Sequence, residues 1–167
     1  VVEGLNAVYP HDWAAFLTDR IKDVHPGYPL EGLARGGSEL VYTDKPTDYF
    51  RDYEAGRKMV DLTYSIGVTL NHEGALTSVL WEGPAYKAGL TVGDKIMAVN
   101  GIAYDAGRLK EAITAAKTGA SPISVLIKDG DHFRTVALDY RGGLRYPRLQ
   151  RIPGKPDLLS RIYEPLK

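Results

Sequence analysis

His72-Glu73 supplies the first two residues of H-E-x-x-H, the pattern in which two imidazoles one helical turn apart hold zinc while the glutamate activates water. The fifth position here is Leu76, and Gly74 interrupts the helix that the spacing needs, so the dipeptide reads as a hairpin turn. The other histidines, His11, His25 and His132, are scattered along the chain with no spacing that suggests a shared ligand site. Ser65 lies in Tyr64-Ser65-Ile66-Gly67 and not in the G-x-S-x-G elbow that exposes a nucleophilic hydroxyl. Asp129 and Asp131 flank Gly130 in a turn, which is ordinary turn chemistry and not an acid and base pair. There is no cysteine, so thiolate metal sites, cysteine nucleophiles and disulfide frameworks are excluded together. These residues point away from catalysis and away from a resident cofactor in this chain.

The totals exclude further classes. Among 167 residues, 21 basic and 21 acidic side chains cancel, so no field of one sign draws nucleic acid or an acidic membrane surface. No apolar run approaches the ~18 residues that span a bilayer. The start, Val1-Val2-Glu3-Gly4, is neither an initiator methionine nor a signal peptide, and the expectation is a piece of a longer protein. Charge is uneven by segment: residues 1–62 carry 7 basic and 11 acidic groups, 63–140 carry 7 and 8, and 141–167 carry 7 and 2. A basic tail either docks on an acidic surface such as the head or is simply solvated, and the second reading is the ordinary one.

The elements along the chain are legible. In the head, apolar residues from Leu5 to Val24 recur at three and four, with Asp12 as a cap for a helix over 13–23 and His25-Pro26-Gly27 as its stop. Residues 26–62 hold one expected strand, Glu39 to Thr43, and too few apolar pieces for a core of their own. From Tyr64 the pattern turns to β: Ile66 to Leu70 alternates, Asn71-His72-Glu73-Gly74 reverses, and Ala75 to Trp81 returns. Pro84 opens a short helix, Gly89 ends it, Leu90 returns to the core, Gly93-Asp94 turns, and Asn100-Gly101 supplies left-handed residues for a tight reversal. A helix follows from about Asp105 to Lys117, with Leu109, Ile113 and Ala116 on one face and Arg108, Ala112 and Ala115 on the next. Ile123 to Ile127 and Phe133 to Leu138 close as an Asp-Gly hairpin, and residues 141–167 read as a tail with a short helical run at Leu158 to Tyr163.

The ordered set from Gly83 to Gly101 resembles the centre of a PDZ domain. That resemblance implies binding by β-augmentation, in which an extended peptide lies as a strand between a sheet edge and a helix. It also implies a turn whose successive N–H groups hold the peptide's terminal carboxylate. Tyr64, Ser65, Ile66 and Gly67 sit where that turn belongs, Gly67 having no Cβ to block approach. Ile66 to Leu70, with Val68 between, would be the docking edge, faced by Arg108, Ala112 and Ala115. The alanines would leave room for a peptide side chain and Arg108 would bond an acidic or hydroxylated one. The plainer alternative is a solvated Arg108 and alanines that mark close helix packing.

Over nearly its whole length the chain also resembles the carboxyl-terminal portion of the glycyl aminopeptidase family of thermolysin-like zinc metallopeptidases. The likeness rests on Asp12-Trp13 with Phe16, on Leu40 to Asp44, on Asp61 to Gly67, on Leu80 to Ala85, on Val99-Asn100-Gly101 and on Gly142 to Pro147. It implies an α+β fold: a PDZ-like, partly open β-barrel or sandwich in the permuted bacterial strand order, capped by two helices. Residues 1–62 would be a helical remnant of the upstream catalytic domain, 63–140 the PDZ domain and 141–167 the basic tail. The parent enzyme would be a zinc aminopeptidase, and many members are exported, compatible with a periplasmic site. The zinc motif and catalytic acid are absent here, so no catalytic role carries over. The expected partners are peptide or protein carboxyl ends and the upstream domain, with self-association through the uncovered face of the head as a further expectation. A rival reading is that the chain closes its own groove and the domain braces the parent enzyme.

Overall fold

A computed structural model describes residues 1–24, 29–119 and 121–165. The head opens with α1 (Val2–Val8) and α2 (Trp13–Ile21), followed by α3 (Glu31–Arg35) and β1 (Ser38–Thr43). The Asp12 carboxylate accepts the Ala15 N–H at 2.9 Å, the expected cap, and α2 ends two residues earlier than its periodicity suggests. The expected stop at His25-Pro26-Gly27 lies outside the described residues. No side chain of α1 or α2 is buried.

Next comes α4 (Asp48–Arg57), which the sequence reading lacked, capped by the Thr47 hydroxyl accepting from the Phe50 N–H. It leads through Lys58, at φ 50°, directly into β2 (Met59–Leu62). β3 (Val68–Asn71) and β4 (Leu76–Val79) form the expected hairpin, with the Asn71 side chain accepting the Glu73 and Ala75 N–H groups inside the turn. His72-Glu73 is therefore turn, as Gly74 dictates. β2, β3 and β4 make an antiparallel sheet in that order, so the sheet begins ahead of residue 63, where the sequence reading set its segment boundary.

The Gly83 to Gly101 passage folds as its residue types require. Gly83 caps α5 (Pro84–Lys87) with Pro84 at the first helical position, and the Leu90 N–H returns to the Ala85 carbonyl at 3.0 Å. β5 (Lys95–Val99) and β6 (Ile102–Ala103) are joined by Asn100 at φ 49° and Gly101 at φ 80°, the pair of left-handed residues of a type I′ reversal. α6 (Ala106–Ala116) starts at Asp105, whose carboxylate accepts the Arg108 N–H. β7 (Ile123–Asp129) and β8 (His132–Leu138) complete a second sheet in the order β6-β5-β7-β8. The two sheets meet where Ala75 bridges Lys95, and neither closes on itself. Between them lies one apolar core that includes Ile66, Leu70, Leu90, Ile96, Leu109, Ile113, Val125 and Leu138. This is the α+β PDZ-like fold expected, with α5 and α6 as its two capping helices.

The tail is more ordered than its composition suggests. β9 (Tyr146–Arg151) pairs antiparallel with β1 over six residues, Ser38 opposite Arg151 and Thr43 opposite Tyr146. α7 (Leu158–Arg161) follows, capped by Asp157. The basic tail thus docks on the head through a backbone ladder. Its cations add to this by bonding carbonyls: Arg151 donates to Gly37 O at 2.6 Å and Lys155 to Ala34 O at 3.3 Å.

Candidate peptide-binding slot

The expected docking strand, β3, has β2 paired along one of its sides. Val60 pairs with Leu70 and Leu62 with Val68. The Asp61 N–H points the other way, to the Glu54 carboxylate at 2.7 Å, so the flanking Val60 and Leu62 are the residues that bond β3. Their side chains are 3% and 1% exposed and belong to the same buried cluster as Val68 and Leu70 of β3 and Leu109, Ala112 and Ile113 of α6. With β4 on its opposite side, β3 is a central strand. The docking edge expected over Ile66 to Leu70 therefore has no free side. The strand itself starts at Val68, because Gly67 at φ 81° still belongs to the preceding turn.

The turn that should hold a carboxylate is likewise engaged. The Leu62 carbonyl accepts the Ser65 N–H at 3.0 Å and the Gly67 N–H at 3.1 Å. Both donors are thus taken up by a main-chain carbonyl of the chain itself. The carbonyls of the turn are held as well, Ile66 O by the Ala85 N–H at 2.9 Å and Gly67 O by the Leu80 N–H at 2.8 Å. A Cβ on Gly67 would make ordinary contact with Leu80 Cβ and Gly83 Cα at 3.4 Å, so it is the positive φ that favours glycine here.

The remaining expected residues scatter. The Ser65 hydroxyl is buried and accepts the Arg145 N–H at 3.0 Å, tying the tail to the turn. Tyr64 is partly exposed with its ring 5.6 Å from that of Tyr42, over which the Arg145 guanidinium sits at 4.2 Å. Arg108 donates to Ala103 O in β6. Ala112 and Ala115 line a shallow concavity with Asn100, Ser121 and Pro122, beside the β5–β6 reversal. The flank of α6 turned toward β2 is instead the one that carries Lys110. Its ammonium reaches the Glu54 carboxylate at 3.2 Å and lies 5.9 Å from the Tyr146 ring centroid. A helix whose apolar face is buried has two flanks: the alanine-rich one lies beside the β5–β6 reversal, and the Lys110 one lies beside α4 and β2.

Glu54 is the residue that sequence reasoning missed. It is 8% exposed on α4, caps the outward Asp61 N–H and pairs with Lys110, so one carboxylate joins α4, β2 and α6. Tyr146 packs against this cluster, edge-on to Phe50 at 5.2 Å, and burial raises its phenol pKa against the opposing pull of Lys110. The signal for β2 was the alternation Met59-Val60-Asp61-Leu62, too short to register as a strand. Among the described residues no three His, Asp or Glu side chains are grouped so as to hold a metal ion, and no helix is long and apolar enough to cross a membrane.

Comparison with known proteins agrees with this architecture. Residues 76–129 match the family model described as a PDZ domain. Across 98% of its length the chain is similar in fold to an aminopeptidase N family protein from Idiomarina loihiensis, with a TM-score of 0.61 at 18% identity. The chain spans 28% of the length of that protein. The HtrA3 PDZ domain bound to a phage-derived ligand (FGRWV) matches over 71% of this chain and 95% of its own, with a TM-score of 0.35 at 18% identity. No curated protein matches significantly.

Proposed function

We propose that this chain, which carries a PDZ domain, is a non-catalytic module of a zinc-dependent aminopeptidase of the glycyl aminopeptidase type, and that in the state described here it braces its parent with the peptide slot filled from within. The observation that carries the second part is the Leu62 carbonyl accepting both the Ser65 and Gly67 N–H groups while β2 pairs along β3. A foreign strand would have to evict two buried aliphatic side chains and four residues of ladder before it met the slot. The parent's activity rests on the sequence resemblance, and the fold shared with an aminopeptidase N family protein across 98% of the chain supports it. The zinc would belong to the upstream domain, and this chain would bring no cofactor of its own.

The test is an array of peptides with free and amidated carboxyl ends, probed with the intact chain. We expect no carboxylate-dependent binding. Binding of a free-ended peptide at about 10 μM or tighter, lost on amidation, would show the slot to be open and would overturn the brace reading.

A further inference from the structure

We propose that β2 is a tethered internal ligand latched in place by Glu54, and that once the latch is broken the slot takes a free polypeptide carboxyl end with the same pattern, valine two residues before a terminal leucine. The proposal rests on the reading above, that β2 fills the slot, and adds what holds it there and what would replace it.

Three observations carry it. The first is the register: Val60 and Leu62, two apart and both directed into the core, are placed as alternate side chains of a bound strand would be, while the Asp61 carboxylate turns aside to accept the Thr63 N–H at 3.0 Å. The slot is therefore already shaped to two aliphatic side chains, and the occupant names the ligand class. The second is the acceptor. Two N–H groups converge on the single neutral oxygen of Leu62, where the carboxylate of a chain ending in leucine would bring two oxygens and a full charge and accept the same donors more strongly. The third is the latch. β2 has only four residues, and its outer backbone donor at Asp61 is held by a buried carboxylate that is in turn fixed by Lys110 at 3.2 Å. Lys58, immediately before the strand, is the left-handed C-cap of α4, its N–H donating to Ala55 O at 3.2 Å, so the strand leaves directly from the helix that carries Glu54.

The internal ligand prevails through its tether. A strand joined to the turn by Thr63 and Tyr64 acts at an effective concentration on the order of millimolar or higher, so a free peptide of micromolar intrinsic affinity is masked while β2 is seated. The apparent affinity of such a peptide scales with the fraction of molecules in which β2 has left. Removing the Glu54 carboxylate should raise that fraction about tenfold or more.

The experiment titrates the intact chain into a fluorescein-labelled hexapeptide of residues 57–62 with a free carboxyl end, beside its amidated twin, and follows anisotropy. Wild type, Glu54→Ala and Lys110→Gln are compared, each first shown to unfold cooperatively. Expected is a rise of about tenfold or more in apparent affinity for Glu54→Ala, a smaller rise for Lys110→Gln, loss of both with the amidated peptide, and faster amide exchange at Ser65 and Gly67 in the variants. Folded variants that bind no better than wild type overturn the latch; should Glu54→Ala not fold, Lys110→Gln alone decides by the same criterion. The two readings fail differently. Wild type binding the free-ended peptide as tightly as the variants means β2 never filled the slot, whereas no binding by any protein leaves β2 seated and removes only the present proposal.

Discussion

Two segments ahead of residue 63 share an origin in the sequence and little else. α2 is nine residues long, rich in Trp, Phe, Leu and Ile, properly capped, and buries nothing; β2 is four residues long and buries Val60 and Leu62 almost completely. The aromatic side chains of α2 spend their surface on one another, Trp13 lying 5.7 Å from Phe16 and 5.0 Å from His11, with the Trp13 indole bonded to Tyr9 O. β2 instead shares a ladder with β3 and a carboxylate with α6. Apolar content says that a segment wants a partner, and only topology says whether the partner is in the same chain.

That contrast can be broken most directly by truncating one side chain in each region. Leu62→Ala should lower the unfolding free energy by about 3 kcal/mol, the cost of a cavity in a closed core, while Leu17→Ala in α2 should change it by less than about 0.5 kcal/mol in urea titrations. Equal losses would mean that α2 is part of the same cooperative unit. A finer comparison uses the same cap chemistry in both places. Asp105→Ala should cost about 1 kcal/mol globally, because α6 packs on the core; Asp12→Ala should leave the global transition unmoved and speed exchange of the Ala15 amide alone.

The smallest effect is alkaline. Burial raises the phenol pKa of Tyr104 and Tyr146 above the ordinary value of 10.0, so the folded chain keeps protons that the unfolded chain releases. Stability contributed by these groups is intact below that value and falls as pH rises through it. Tyr104→Phe should flatten this slope in thermal unfolding at pH 9 to 11 with no loss at pH 7, since the Tyr104 hydroxyl is buried with no hydrogen-bond partner among the described residues. A steeper slope in the variant would place the alkaline sensitivity elsewhere.

The passage from Gly83 to Gly101 was readable because its conformations are demanded by residue type: a proline at a helix start, glycines at φ 80° and 97°, an Asn-Gly reversal. The hairpin of β7 and β8 was readable for the same reason at Gly130, with Asp129 opposite His132. β9 was not, since beyond Tyr146 its side chains are mostly exposed and it contains Pro147 and two arginines, so neither alternation nor composition marks it as a strand. α4 escaped because it is polar, its one buried side chain being the carboxylate of Glu54. The turn at Ser65 to Gly67 forms as the residue types suggest, but the strand that pairs beside it was not foreseen. Whether an edge is open depends on what pairs with it, and four residues of alternating pattern at 59–62 were below the length at which a strand declares itself.

The β1–β9 ribbon sets a timetable for how the protein is made. Ser38 waits for Arg151 and Thr43 for Tyr146, contacts separated by more than 100 residues, so the ladder forms only after residue 151 has left the ribosome. The sheets of the central segment are free to condense first, since their pairings are drawn from residues 59–138. Until β9 has been synthesised, the edge of β1 and the apolar side chains around it stay uncovered, and that interval is when a nascent chain of this kind is most open to a chaperone or to another copy of itself.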